Sequence, residues 1–306
     1  MSVPAAYITV VLLWATTPLA IVWSIESMHP TLAVLLRMGL ACIVGWVIVL
    51  LLRIEFSWCP KSRHIYTLSA FGITAGMTLS YVAAQYLSSG LMSLVFGLSP
   101  IASAFLSSRL LEEKRLLPSQ KLSMLLALIG LLIVCYEKIN VNADSWKGIG
   151  LMLISVVTFS ISGVLMKRVN IRLNPLVSTV GALTYSMPVF VVLWVLFDGS
   201  LNVEQWSHQS VMAIVYSAIM GSLVGFFAYF YILNKLSMTT VALATIITPP
   251  LAILVGAQLN DELVTMVFVV GTSVILFGLT IFQFGERFIK RFKCFYQWQK
   301  LKRIRS

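Results

Sequence analysis

Runs of about 20 apolar residues, the length that crosses a bilayer as a helix, recur along the whole chain with short polar interruptions. A window moved along this pattern predicts ten spans, at 3–23, 31–52, 65–86, 89–109, 119–137, 148–167, 175–197, 209–233, 239–259 and 265–285. Pro30, Pro60, Pro118 and Pro175 each stand just before or at a predicted helix start, where a missing backbone N–H costs nothing. The span at 89–109 is short and contains Pro100. The first span is too long for a signal-peptide core and has neither a basic n-region nor a small-residue cleavage site, so it reads as a retained helix. The expected fold is an all-α polytopic membrane protein of ten transmembrane helices.

The same pattern repeats within the chain. Leu87-Ser88, Pro100 and Glu112-Glu113 match Leu236-Ser237, Pro249 and Asp261-Glu262 at a single offset of 149, and Trp14 and Pro30 match Phe159 and Pro175 at 145. Each half holds five spans. Five is odd, so the second copy enters the membrane upside down, the ground plan of many secondary transporters, whose substrate sits near the midplane between the repeats. The expected division is 1–140 for the first repeat, 141–285 for the inverted second, and 286–306 for a basic amphipathic tail.

Composition supports the membrane reading: of 306 residues, 59% are hydrophobic and 11% charged, against about 45–50% and about 25% in soluble domains. The net charge of +11 has a topological cause. With the N-terminus cytoplasmic, 19 of the 22 Lys and Arg fall on inside segments, Lys138 and Lys147 fall outside, and Arg37 lies within a span. The positive-inside rule then places both termini in the cytoplasm, and the expected location is a bacterial inner membrane. No basic face alternates with aromatics on a soluble module, so the charge does not point to nucleic acid. Cys42, Cys59, Cys135 and Cys294 form no metal or disulfide pattern.

On these residues the chain resembles the EamA-type branch of the drug/metabolite transporter superfamily over nearly its whole length. The resembling stretches are Leu13-Trp14 through Pro18, Pro30-Thr31 through Arg37, and Ala84-Gln85-Tyr86 through Pro100 with Glu113. They are followed by Ile232-Leu233-Asn234-Lys235-Leu236-Ser237 through Pro249 with Glu262. Pro250 and the long basic tail depart from the pattern. The resemblance implies inverted five-helix repeats, a central cavity built mainly from helices 1, 3, 4, 6, 8 and 9, and export or exchange of amino acids, metabolites or drugs.

The candidate chemistry follows. Pro100 cannot donate to the carbonyl of Phe96, and Pro249 and Pro250 leave those of Thr245 and Ile246 without helical partners. Such interruptions persist in hydrocarbon only where protein or water satisfies them, and paired ones in equivalent helices point to a binding site. Ser99 and Thr248 precede the prolines; their hydroxyls can serve a ligand or bond back to their own helix. Trp14, Tyr81, Phe96, Phe159 and Tyr229 fall in spans that the resemblance places around the cavity, where rings can cradle a solute; Thr245 is a further candidate there. Arg37 either attracts a substrate carboxylate, or gates, or snorkels to the outer surface or to free carbonyls.

No Asp or Glu is expected mid-span, and His29, His64 and His208 lie in loops, which favours facilitated diffusion or exchange over proton coupling. No Walker loop, metal constellation or nucleophile–base motif appears, so no cofactor is expected. In the tail, Phe288, Ile289, Phe292, Phe295 and Tyr296 oppose Arg287, Lys290, Arg291 and Lys293, the pattern of a helix lying on an anionic inner leaflet. The expected activity is secondary transport of a small organic solute. The rival, a membrane-embedded enzyme or lipid-handling protein, requires clustered ionisable groups at a membrane face, which the sequence lacks. Oligomeric state leaves no mark in the sequence.

Overall fold

The computed structural model describes the backbone at residues 2–110, 117–141, 144–169, 173–236 and 244–304, with side chains throughout except at 137–141, 167, 226, 230, 233, 234 and 286–304. Glu112-Glu113, Ser237 and the side chains of the basic tail therefore lie outside the described residues.

Every regular element described is helical. In chain order these are α1 (Val3–Ser24), α2 (Pro30–Leu51), α3 (Pro60–Ala83), α4 (Ser89–Phe96), α5 (Ser99–Leu110), α6 (Pro118–Val141), α7 (Ser145–Val169) and α8 (Pro175–Phe197). A 3-10 turn at Val203–Gln205 leads to α9 (His208–Tyr216), a π-helical stretch (Ser217–Val224), α10 (Gly225–Lys235), α11 (Ala244–Leu259) and α12 (Met266–Ile304). Among the described residues nine stretches are long and apolar enough to cross a membrane, α4–α5 counting as one and α9 to Tyr229 as another. The ninth expected span, 239–259, appears as α11, apolar but 16 residues long.

The four prolines singled out above are each the first residue of a helix. His29 and Asn174 cap two of these helices, their side chains accepting from the Thr31 and Leu176 amides at 3.4 and 3.0 Å. The third helix starts at Pro60 rather than 65, because Lys61 to His64 are polar enough to escape a hydropathy window yet extend the helix past the apolar region. The eighth span is not one regular α-helix: the π-helical stretch interrupts it. The tenth runs on without a break in the helix to Ile304.

In lipid, apolar surface gives helices little reason to associate, so close packing of small residues must hold them. Gly72, Gly76 and Ser80 form such a stripe at four-residue spacing on α3. A Cβ on Gly72 would lie 2.5 Å from Ser162, and one on Gly76 would lie 2.4 Å from the Phe159 ring, both on α7. Ser155 of α7 donates to the Gly76 carbonyl at 2.7 Å and shares a 2.9 Å hydrogen bond with Ser80. Buried interhelical bonds of this kind contribute about 0.6 kcal/mol each on average. A second close pair joins α6 to α12. Gly271, Gly278 and Gly285 recur every seven residues and face Gly130, Ser123 and Ser119, with the Gly130 carbonyl 3.0 Å from where a Gly271 Cβ would stand. The outer faces of this pair, including Leu125, Leu128, Leu132 and Phe277, are exposed as lipid-facing side chains would be.

Candidate functional site

The interruption at Pro100 is a true break. Phe96 ends α4, Gly97 and Leu98 form a turn, and Ser99 starts α5, as the ring's clash with the carbonyl four residues back dictates. Pro249 and Pro250 behave differently, which corrects the expectation of a second broken helix. The α11 helix continues through both, so only its hydrogen-bond ladder is interrupted. The two interruptions touch: a Cβ on Gly97 would lie 3.2 Å from Pro249 Cγ and 3.4 Å from the Thr245 carbonyl oxygen. Gly97 thus supplies the space in which the Thr245 carbonyl faces the neighbouring helix. Thr248 is buried and its hydroxyl bonds back to the Ala244 carbonyl. Ser99 is half-buried; its carbonyl accepts from Ser160 at 3.4 Å, and among the described residues no hydrogen bond holds its hydroxyl.

The candidate aromatic residues come together as pairs. The rings of Trp14 and Tyr229 lie 5.2 Å apart, and those of Phe96 and Phe159 meet edge to face at 5.6 Å and 79°. Tyr81 is fully buried, and its hydroxyl accepts from Arg37 Nη1 at 3.5 Å. Arg37 does not snorkel. It is 1% exposed, with Nε donating to Ser222 Oγ at 3.1 Å, because α3 and the π-helical stretch enclose it before it can reach the surface.

One residue that sequence reasoning placed merely at a helix end has a defined task. Glu262 receives the Ser89 amide on Oε1 at 2.8 Å and the Gly90 amide on Oε2 at 3.1 Å, capping the buried start of α4. Asn260 donates to Glu262 at 3.4 Å and accepts from the Trp23 indole at 2.9 Å, which brings α1 into the same clamp. At this end of the bundle the Ser207 amide also donates to Ser27 Oγ at 2.9 Å, and Ser210 Oγ donates to the Trp23 carbonyl at 2.7 Å. The signal was available in the matched acidic pairs at offset 149, since a carboxylate is well suited to a helix N-terminus. The fourth span is correspondingly asymmetric: Ser89 through Val95 are all buried, whereas in α5 only Ile101 is.

A groove of about 620 Å³ lies elsewhere, lined by Pro118, Ser119, Leu122, Phe277, Thr280, Ile281 and Gly285 between α6 and α12. Its mostly apolar walls suit an acyl chain more than a polar solute, and none of these lining residues belongs to α4, α5 or α11.

Known proteins resemble the chain end to end. The model of the EamA-like transporter family matches residues 3–136 and again 146–283. An uncharacterized transporter of Archaeoglobus fulgidus is 26% identical over 88% of this chain and 94% of its own. Protein PagO of Salmonella typhimurium is 24% identical over 83% of each chain. The uncharacterized inner membrane transporter YedA of Escherichia coli is 22% identical over 90% of this chain and 88% of its own. A protein solved by crystallography shares the fold at a TM-score of 0.66 and 18% identity, over 92% of this chain and 97% of that one.

Proposed function

The chain belongs to the EamA-like transporter family and is a multi-pass membrane transporter; from that premise we propose that it carries a small organic solute, such as a neutral amino acid or related metabolite, by alternating access. The architecture proposed is ten transmembrane helices in two inverted repeats, 1–140 and 141–285, followed by the basic tail at 286–306 on the anionic inner leaflet. The observation that carries the site is the contact between the two proline interruptions, Gly97 against Pro249 and the Thr245 carbonyl. The solute then binds beside Ser99, Thr245 and Thr248, against Trp14, Tyr229, Phe96 and Phe159.

The hydrogen bonds at the Glu262 end, together with the poor burial of α5 at the other, favour a conformer closed outside and opening to the cytoplasm. Flux of radiolabelled neutral amino acids into proteoliposomes is the direct test, and movement of at least one is expected. In equilibrium binding to that solute, Ser99→Ala should weaken affinity by about 0.5–1.5 kcal/mol, the worth of a neutral hydrogen bond, or about two- to tenfold. Thr248→Ala should do less, because its hydroxyl is already engaged with Ala244. Lipid-facing Leu128→Ala should change nothing. Unchanged affinity in both Ser99→Ala and Trp14→Ala would move the site elsewhere.

Orientation has a native reporter. Cys59 is exposed and precedes α3 on a segment expected to face the cytoplasm. Hydrogen bonds from the Ser62 and Ser57 hydroxyls favour its thiolate and lower its pKa to about 7. With the other three cysteines replaced by serine, a membrane-impermeant maleimide should label Cys59 only after cells are permeabilised. The labelling rate should climb as pH rises through 7, following the thiolate. Labelling in intact cells would reverse the proposed topology.

A further inference from the structure

Arg37 carries a permanent charge into the interior of the bundle, and each hydrogen-bond partner it has there is neutral. Nε donates to Ser222 Oγ and Nη1 to Tyr81 Oη. Nη2 and Thr17 Oγ1 lie 3.2 and 3.1 Å from the point where a Cβ on Gly221 would stand, so they flank one small space that glycine leaves open. The Thr17 hydroxyl donates away from that space, to the Leu13 carbonyl at 2.6 Å. Among the described residues the one ion pair is Lys147 with Asp144, at a helix start. No described carboxylate reaches Arg37.

An isolated buried charge is strongly disfavoured even after relaxation, and an arginine cannot escape that cost by losing its proton. Hydroxyl dipoles offset part of it. No described residue supplies a full counter-charge, and a bound anion does so. Building on the transport reading above, we propose that Arg37 binds the carboxylate of a monoanionic or zwitterionic solute, on an anion site bounded by Thr17, Tyr81, Gly221 and Ser222. The planar fork of a guanidinium matches a carboxylate in two parallel hydrogen bonds. Arg37 is the one cation among the described residues that bound this site, so a phosphate with two charges would be left half-neutralised. The π-helical stretch that carries Gly221 and Ser222 fits this assignment, because π-bulges recur at functional positions in helices. Thr17 lies three residues from Trp14 on α1, on the same helical face, so a carboxylate at Arg37 directs the body of its solute toward the Trp14–Tyr229 pair.

The test uses purified full-length protein and three probes of one shape: L-leucine, 4-methylpentanoate, which keeps the carboxylate and drops the amine, and leucinamide, which keeps the amine and drops the carboxylate. Calorimetric titration and thermal unfolding should show that leucine or 4-methylpentanoate binds and raises the melting temperature, with leucinamide inert. Arg37→Gln should weaken carboxylate binding at least tenfold. Arg37→Lys keeps the charge but loses the fork, and should bind several-fold more weakly than the native protein; it also serves if the glutamine variant does not fold. The inference is overturned if neither carboxylate stabilises the native protein, or if both variants respond as the native protein does. Flux separates the two readings: leucinamide crossing while both carboxylates stay outside leaves the transporter standing and removes the carboxylate site.

Discussion

Glu262→Ala should melt well below the native protein. Its carboxylate is the acceptor for the Ser89 and Gly90 amides, and both of those residues are buried. Alanine leaves two donors at the start of a buried helix with nothing to accept them. Hydrogen bonds to a charged group contribute about 1.5–3 kcal/mol, and the cap also loses its favourable charge at the positive end of the helix. The expected loss is at the upper part of that range, read as a fall of several degrees in thermal unfolding of the detergent-solubilised protein. Glu262→Gln keeps one acceptor oxygen and should recover part of the loss. A melting temperature unchanged in the alanine variant would show that the carboxylate does not hold α4.

The second large effect is expected at Gly76, where a methyl group has nowhere to go. Three ring atoms of Phe159 would stand 2.4–2.8 Å from the new Cβ, so Gly76→Ala has to displace the ring or part α3 from α7. Overpacking of this kind costs about 1–3 kcal/mol. The ring also meets Phe96, the last residue of α4, so the displacement presses on the interrupted helix and should impair solute binding. Phe159→Ala opens the space that the methyl group needs. In that background, Gly76→Ala should cost little, and the double-mutant cycle should return a coupling comparable to the single-mutant cost. Additive effects of the two substitutions would mean that the clash is relieved some other way.

These two residues illustrate how differently parts of the chain could be read. The helices and most of their starts were legible, because a bilayer demands a continuous apolar length and a satisfied backbone, both local properties of sequence. Pro30, Pro60, Pro118 and Pro175 mark helix starts for an equally local reason. The break before Pro100 followed from the ring itself, whereas Pro249 and Pro250 show that the same residue type can remain within a helix. The small-residue stripe of Gly72, Gly76 and Ser80 was in plain view but needed a partner helix to acquire meaning.

The sequence alone determined a multi-spanning helical protein with internal repetition in its motifs, and it drew attention to Pro100, Pro249 and Arg37. Tertiary structure decided what each does. It set Gly97 against Pro249, turned the Thr248 hydroxyl onto its own helix, and enclosed Arg37 between Tyr81 and Ser222, 44 and 185 residues away in the chain. It also joined Glu262 to amides 173 and 172 residues earlier. Hydropathy and proline chemistry act over a few neighbouring residues and are written in the chain. The environment of a buried charge or a capping carboxylate depends on which helices pack beside it, and that is fixed only when small residues let those helices approach.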